Sequence, residues 1–328
     1  MCLTRSCPRL FLIFPAPCEN CEMKKVGFVY DDIFLHHEMP PGHPESKERL
    51  IAIIASLKKR TALWDSLIHL KATAAEKADV LAVHTAAYLD RITKFSGYFD
   101  ADTYVSERSV EAALYAAGAV IEAVDQCKRG KIERAFCAVR PPGHHAEANR
   151  AMGFCIFNNV AIGARYAQRL GYRRVFIIDF DVHHGNGTQH IFEEDDSVYY
   201  FSTHQYPHYP GTGSDLERGR GKGTGYTYNI PMQHGSGDKE YFSAFHDFLP
   251  GLVRDFGPDI ILVSAGYDLH ARDPLAGIRV TNEGMRSIVK AILSCNSAPH
   301  VFCLEGGYNL SSLSESVLIT MEELLYCG

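Results

Sequence analysis

The chain has 328 residues, 46% hydrophobic and 22% charged, the make-up of an ordinary globular protein, and its length holds one large α/β domain or two smaller ones. With 33 basic against 39 acidic residues its formal net charge is −6, which excludes a general electrostatic attraction to nucleic acid. No apolar run approaches the ~20 residues of a membrane span, and ten scattered cysteines point to reduced thiols in a cytoplasmic setting rather than a disulfide framework.

Near the start, Arg5 and Arg9 precede a short apolar run from Leu10 to Phe14. It is weaker than a secretory leader, whose apolar region spans ~7–15 residues. Cys18 and Cys21 form a lone CxxC without the second pair that zinc or redox chemistry would need. Residues 1–22 are expected to be a disordered extension, and 23–328 the folded domain. The first strand is predicted over 26–30. A proline-rich loop leads to a helix over 47–59, apolar at Leu50, Ile51, Ile54 and Leu57 behind a Ser46 cap. Helical patterns follow over 78–94 and 108–128. A buried strand over 135–139 runs into Arg140-Pro141-Pro142-Gly143-His144-His145, where two prolines forbid both ladder and helix.

A helix over 158–170 precedes Val175-Phe176-Ile177-Ile178. This apolar, β-branched run reads as a strand buried on both faces. It ends in Asp179, Phe180, Asp181, Val182, His183 and His184. If the extended chain continues, Asp179, Asp181 and His183 share one side, before Gly185, Asn186 and Gly187 break it. Further strands are read over 198–203, 259–265 and 300–304, with helices over 238–254, 282–294 and 311–326. The stretch 209–225 is a glycine-rich loop; its GKGTG piece lacks the spacing of a phosphate-binding loop. Cys137, Cys155 and Cys303 lie in apolar runs and read as core residues. Strands alternating with helices argue for one α/β domain with a mainly parallel sheet.

Reactive groups stand at four strand ends: His144 and His145, Asp181 and His183, Asp268, and Tyr308. In a parallel sheet these ends share one edge, so distant residues converge. Taken singly, each has a duller reading: an Asp as helix cap, a His as satisfied core, a Tyr as packing. Together, two Asp and one His make three ligands for a divalent metal with a position left for water, the arrangement of catalytic sites. The mixed oxygen and nitrogen set suits zinc and also accepts ferrous iron. A metal-activated water, a tandem histidine pair to move its proton and a tyrosine hydroxyl to steady an oxyanion describe amide hydrolysis.

The motifs RPPGHH (140–145), GFCIFNN (153–159), DFDVHHGNGTQ (179–189), YPGTG (209–213), SAGYD (264–268) and LEGGYN (304–309) strongly resemble the histone deacetylase superfamily, including its class II-like and bacterial amidohydrolase branches. The resemblance runs in order from about residue 26 to the C-terminus. It implies a three-layer α/β/α domain of the arginase–deacetylase type with an eight-stranded, mainly parallel sheet. Metal ligands would be Asp181, His183 and Asp268. His145 would be the general base, His144 its electrostatic partner and Tyr308 the group polarising the scissile carbonyl. Asp179 would orient His144 and, with Asp181, His183, Ser202 and Thr203, hold a structural potassium ion. Gly153, Phe154, Tyr209, Leu275 and Asp102 would contact substrate, and Arg49 would lie near an internal channel for the acetate product. Relatives also pack loops of a neighbouring chain over the tunnel, so a homo-oligomer fits the pattern.

Some positions depart from the commonest pattern. Many relatives carry Asp where this chain has Asn186, the expected partner of His145; Asn still accepts the imidazole N–H but brings no charge. Tyr209 replaces the usual Phe of the tunnel wall, and Lys47 stands where many relatives have Pro. The resulting expectation is a zinc-dependent hydrolase acting on acylated lysine in proteins or peptides. The alternatives are a small-acylamine deacetylase acting on acetylpolyamines, a non-catalytic acyl-lysine reader, and an arginase-like enzyme with two metals. Leu275 in the DPLAG loop, where a polyamine-selective relative would resemble DPE, favours acyl-lysine.

Overall fold

Short apolar runs set the sheet, and glycine and proline turns deliver its reactive ends to one edge. The computed structural model describes residues 23–326, so the expectations for residues 1–22 lie outside it. Eight strands form the central sheet: β1 (Val26–Val29), β2 (Ile68–Leu70), β3 (Arg134–Cys137), β4 (Val175–Asp179), β5 (Val198–Gln205), β6 (Thr227–Met232), β7 (Ile260–Ala265) and β8 (His300–Leu304). Their order is β2-β1-β3-β8-β7-β4-β5-β6. Every pairing is parallel, more uniform than the mainly parallel sheet expected. Val175 to Ile178 are wholly buried, and each such side chain contributes roughly 1.5–3 kcal/mol of apolar burial.

Helices cover both faces, as such strands require. The alanine-rich α2 (Ser109–Lys128) and α3 (Asn159–Arg169) pack together on one face, while α1 (Glu48–Lys58), α5 (Asn282–Ser294) and α6 (Leu310–Tyr326) pack on the other. A short α4 (Asn186–Phe192) begins directly after the glycine break, where the sequence pattern showed no helix. No helix among the described residues is long and apolar enough to cross a membrane.

Two edge strands escaped the sequence reading. The β2 strand has three residues and is largely exposed, too short for a pattern. The β6 strand contains Pro231, which an edge tolerates and a central strand does not. The helix expected over 78–94 is two short ones, Lys77–Leu81 and Ala86–Ile92, because Thr85 caps the second by accepting from Tyr88 N at 3.2 Å. The segment expected as a helix over 238–254 is helical to Phe256 but widens into a π turn over Ser243–Phe248. Pro250, which has no N–H to donate, lies immediately beyond that turn.

Candidate active site and metal centre

The strands β3, β8, β7 and β4 are neighbours in the middle of the sheet, so the loops leaving their carboxyl ends meet. They carry His144 and His145, Tyr308, Asp268, and Asp181 with His183. The β4 strand stops at Asp179, short of the extended run expected through His183. Asp179 Oδ1 accepts Asp181 N at 3.1 Å, and Asp181 Oδ1 accepts His183 N at 2.9 Å. These local carboxylate bonds take the Asp181 and His183 N–H groups out of the ladder, which persists between them where Phe180 N donates to Ser264 O at 3.2 Å and Gln205 N to Val182 O at 2.8 Å.

Asp181, His183 and Asp268 offer ligand atoms that lie within 4.8 Å of one another, all buried. His183 Nδ1 stands 3.1 Å from Asp181 Oδ1 and 3.2 Å from Asp268 Oδ2. Asp268 Oδ1 accepts Val182 N at 2.9 Å; its Oδ2 is buried with no well-aligned donor and only His183 Nδ1 beside it. Burial and the neighbouring Asp181 charge push the Asp268 carboxyl up to about 7. A site that needs positive charge and leaves a carboxylate oxygen without a well-aligned donor fits a divalent cation. The close approach is built on glycine. A Cβ at Gly306 would collide with Asp268 Oδ2 and come within 2.6 Å of Asp181 Oδ2, and a Cβ at Gly266 would strike Asp181.

The histidine pair stands beside this cluster, its two rings 4.0 Å apart. His144 Nδ1–H donates to Asp179 Oδ2 at 3.0 Å. Burial opposes its charge, but Asp179 and Asp181 outweigh burial and push its pKa up to about 10. His145 is the reverse case. Burial, with the neighbouring His144 and His183, holds it well below the ordinary histidine value, and its Nδ1–H donates to Asn186 Oδ1 at 2.8 Å. The two adjacent imidazoles are thus pushed in opposite directions, His144 upward by Asp179 and Asp181 and His145 downward by burial and its histidine neighbours, which Asp181 only partly offsets.

A cavity of about 230 Å³ reaches the cluster at His183 and is also lined by His144, His145 and Gly306. Asp102, Gly153, Phe154, Tyr209 and Leu275 all line it, together with Tyr308. Gly153 has φ +54°, and a Cβ there would strike the His145 ring. Phe154 follows with φ 69°, a left-handed conformation costly for a side chain of this size. Its N–H donates to Thr103 Oγ1 at 3.1 Å, and its ring meets Tyr308 edge-on at 5.9 Å. Tyr209 stands edge-on to His145 at 5.2 Å.

Residues 43–324 match the histone deacetylase domain. The chain belongs to the histone deacetylase family. It is 40% identical over 294 residues to a probable deacetylase of Archaeoglobus fulgidus, covering 87% of this chain and 81% of that protein. It is also 40% identical to histone deacetylase 15 of Arabidopsis thaliana over 311 residues, 92% of this chain but 56% of the plant protein. The crystal structure of the HDA15 HD domain shares the fold at a TM-score of 0.88 and 38% identity, covering 92% of this chain and 88% of that one. These likenesses make the chain a deacetylase-family hydrolase of the arginase–deacetylase fold.

Three residues of this deacetylase's site escaped the sequence reading. Glu305 is fully buried and accepts Gly143 N at 2.6 Å, His144 N at 3.2 Å and Ser264 Oγ at 3.0 Å, so its oxygens are occupied, and its proximity to His144 and Cys155 is not a second metal site. Asp273 accepts Tyr308 N at 2.6 Å and Leu275 N at 3.1 Å, tying the tyrosine loop to the cavity wall. His208 stacks on His183 at 5.2 Å. The available signals were positional: His208 directly precedes Tyr209, Asp273 opens the DPLAG loop and Glu305 lies within LEGGYN, but the partners of Glu305 are distant in sequence.

Behind Tyr308 lies a buried ion cluster. Arg140 Nη2 donates to Glu45 Oε2 at 2.7 Å, and Arg49 Nη1 to Glu45 Oε1 at 2.9 Å. Arg49 Nε also donates to Gly307 O at 2.6 Å, on the loop that carries the tyrosine. Burial alone would raise the Glu45 pKa, but Arg140, His37 and Arg49 hold it well below the carboxylate range. A depressed native pKa gives stabilisation that is complete above the unfolded value of ~4.3 and is lost as pH falls through the native one. Glu45→Gln, leaving two arginines with one neutral partner, is expected to lower the unfolding free energy by roughly 3–5 kcal/mol at neutral pH. In urea titrations the deficit against the parent protein should narrow below pH ~4.3.

Proposed function

We propose that this deacetylase removes acetyl or related acyl groups from lysine side chains of peptides or proteins, using a divalent cation held by Asp181, His183 and Asp268. The carrying observation is that three-residue buried cluster, which meets through His183 a cavity that Phe154, Tyr209, His145 and Tyr308 also line. Zinc suits the ligand set and ferrous iron is accepted by it. The cation supplies a polarised carbonyl and a water acidified to near neutrality.

The chain's own groups do the rest. His145, kept neutral by burial and by its histidine neighbours, takes the water proton at Nε2, because its Nδ1–H is engaged by Asn186. His144 stays cationic against Asp179 and steadies negative charge beside it. Burial keeps the Tyr308 phenol protonated well above its usual range, ready to donate to the developing oxyanion. The proton then returns from His145 to the leaving amine. Asp102 and Leu275 both line the cavity, and the apolar Leu275 suits the extended stem of an acylated lysine. Asp179 and Ser202 face each other across β4 and β5. With Asp181, His183 and Thr203 they form the proposed potassium site, supported by a buried Asp179 whose carboxyl burial pushes up.

The test compares an acetyl-lysine peptide with acetylputrescine on zinc-loaded protein. Higher kcat/KM on the peptide is expected; higher turnover of acetylputrescine would transfer the reading to small acylamines. Chelation should abolish turnover and lower Tm, because loss of a ligand bound only by the native state removes its mass-action stabilisation. Zinc should restore both, at one ion per chain by elemental analysis, whereas two ions would point to the ureohydrolase alternative.

A further inference from the structure

The amide of Asn186 has two faces, and its partners on the far side determine what it presents to His145. Its Nδ2 donates to Glu147 Oε1 at 2.5 Å, with His145 O and Met152 Sδ as weaker acceptors at 3.4 Å. The Glu147 side chain is largely buried. His190 Nδ1, one turn along α4 from Asn186, reaches the same Oε1 at 2.9 Å. Glu147 raises the His190 pKa, with Glu193 and Glu217 adding to it. A carboxylate accepts and cannot donate, so it draws the NH₂ end of the amide toward itself and leaves Oδ1 for His145. An oxygen there requires a hydrogen on His145 Nδ1, which leaves Nε2 free as the proton acceptor. The reversed amide would put an N–H against Nδ1 and move the ring hydrogen to Nε2, the wrong tautomer for a base.

We propose that Glu147, clamped by His190, is a positioning residue that sets the amide orientation of Asn186 and through it the tautomer of His145. The charge that Asn186 lacks is thereby supplied one residue further out. This rests on the reading of His145 as the general base, which His145→Ala tests separately: if that variant stays active, the base assignment fails, whatever Glu147 does.

The experiment compares Glu147→Gln with the parent enzyme, zinc-loaded, on an acetyl-lysine peptide. A glutamine offers the amide both a donor and an acceptor, so the lock is lost. The expected result is a fall in kcat of about ten-fold, the equivalent of one pKa unit of lost imidazolium support, with KM and zinc content unchanged. In ¹⁵N-histidine-labelled protein, with the His145 signal assigned by difference from His145→Gln, the parent should show the Nδ1–H tautomer and Glu147→Gln a mixture. Adding Asn186→Asp to Glu147→Gln places a pure acceptor directly on Nδ1 and should restore most of the kcat. Should Glu147→Gln fold poorly, His190→Ala on the exposed side of the clamp should shift the tautomer in the same direction with a smaller loss of kcat. An unchanged tautomer and kcat in the folded variants, or no recovery with Asn186→Asp, would overturn the proposal.

Discussion

Tyr308→Phe should lower kcat by roughly 10²–10³-fold, the range for losing one positioned oxyanion donor, and leave one metal ion bound per chain. The two outcomes separate because the ring is placed by contacts that do not involve its hydroxyl. Gly307, at φ +117°, turns the chain. Asp273 accepts the Tyr308 N–H, the Arg49 guanidinium lies 5.0 Å from the ring centre, and Phe154 meets the ring from the side. Phenylalanine keeps all of these, and the metal ligands lie on other loops. Single-turnover kinetics on an acetyl-lysine peptide, beside elemental analysis, provides the measurement. A non-catalytic reader of acylated lysine predicts otherwise: no turnover to lose and little change in affinity. Activity within a few-fold of the parent in Tyr308→Phe would remove the hydroxyl from the chemistry.

Gly306→Ala should be nearly as damaging for a different reason. One methyl group would collide with Asp268 Oδ2 and stand 2.6 Å from Asp181 Oδ2, the two carboxylates that flank His183. The chain cannot yield easily, because Gly306 N donates to Asp181 Oδ2 at 2.8 Å and Gly306 O accepts Tyr267 N at 3.0 Å. Metal affinity should fall by roughly 10–100-fold or more, the range seen when support for a ligand is removed. Overpacking should add a loss of roughly 1–3 kcal/mol in stability. Zinc titration by competition with a chelating dye reads the first effect and thermal melting the second. Excess zinc should recover part of the activity in Gly306→Ala and none in Tyr308→Phe, so the pair distinguishes loss of the ion from loss of the donor.

Much of the fold is legible locally. The six inner strands appear as apolar runs because a strand covered on both faces has no polar side to show. The edge strands β2 and β6 do not, one being short and exposed and the other carrying Pro231. The four reactive strand ends are legible for the same reason as the inner strands: a parallel sheet brings its carboxyl ends to one edge, whatever lies between them in sequence. The cluster of Asp181, His183 and Asp268 could thus be named, although the regular strand stops at Asp179 and two carboxylate-closed bends carry the chain on from there.

Other features depend on distance in space alone. Glu305 meets Gly143 across 162 residues, and Glu147 meets Asn186 across 39, so no local pattern reveals what either one holds. What the sequence by itself determined was the set of reactive groups and the kind of sheet that gathers them, since composition and period are local properties. What only the tertiary structure decided was the state each group is pushed toward: His144 toward charge and His145 away from it, the Asn186 amide nitrogen toward Glu147, and Asp268 Oδ2 into a buried place beside His183. Those states follow from which dipoles and charges face a buried atom, and that is settled only when distant loops pack together.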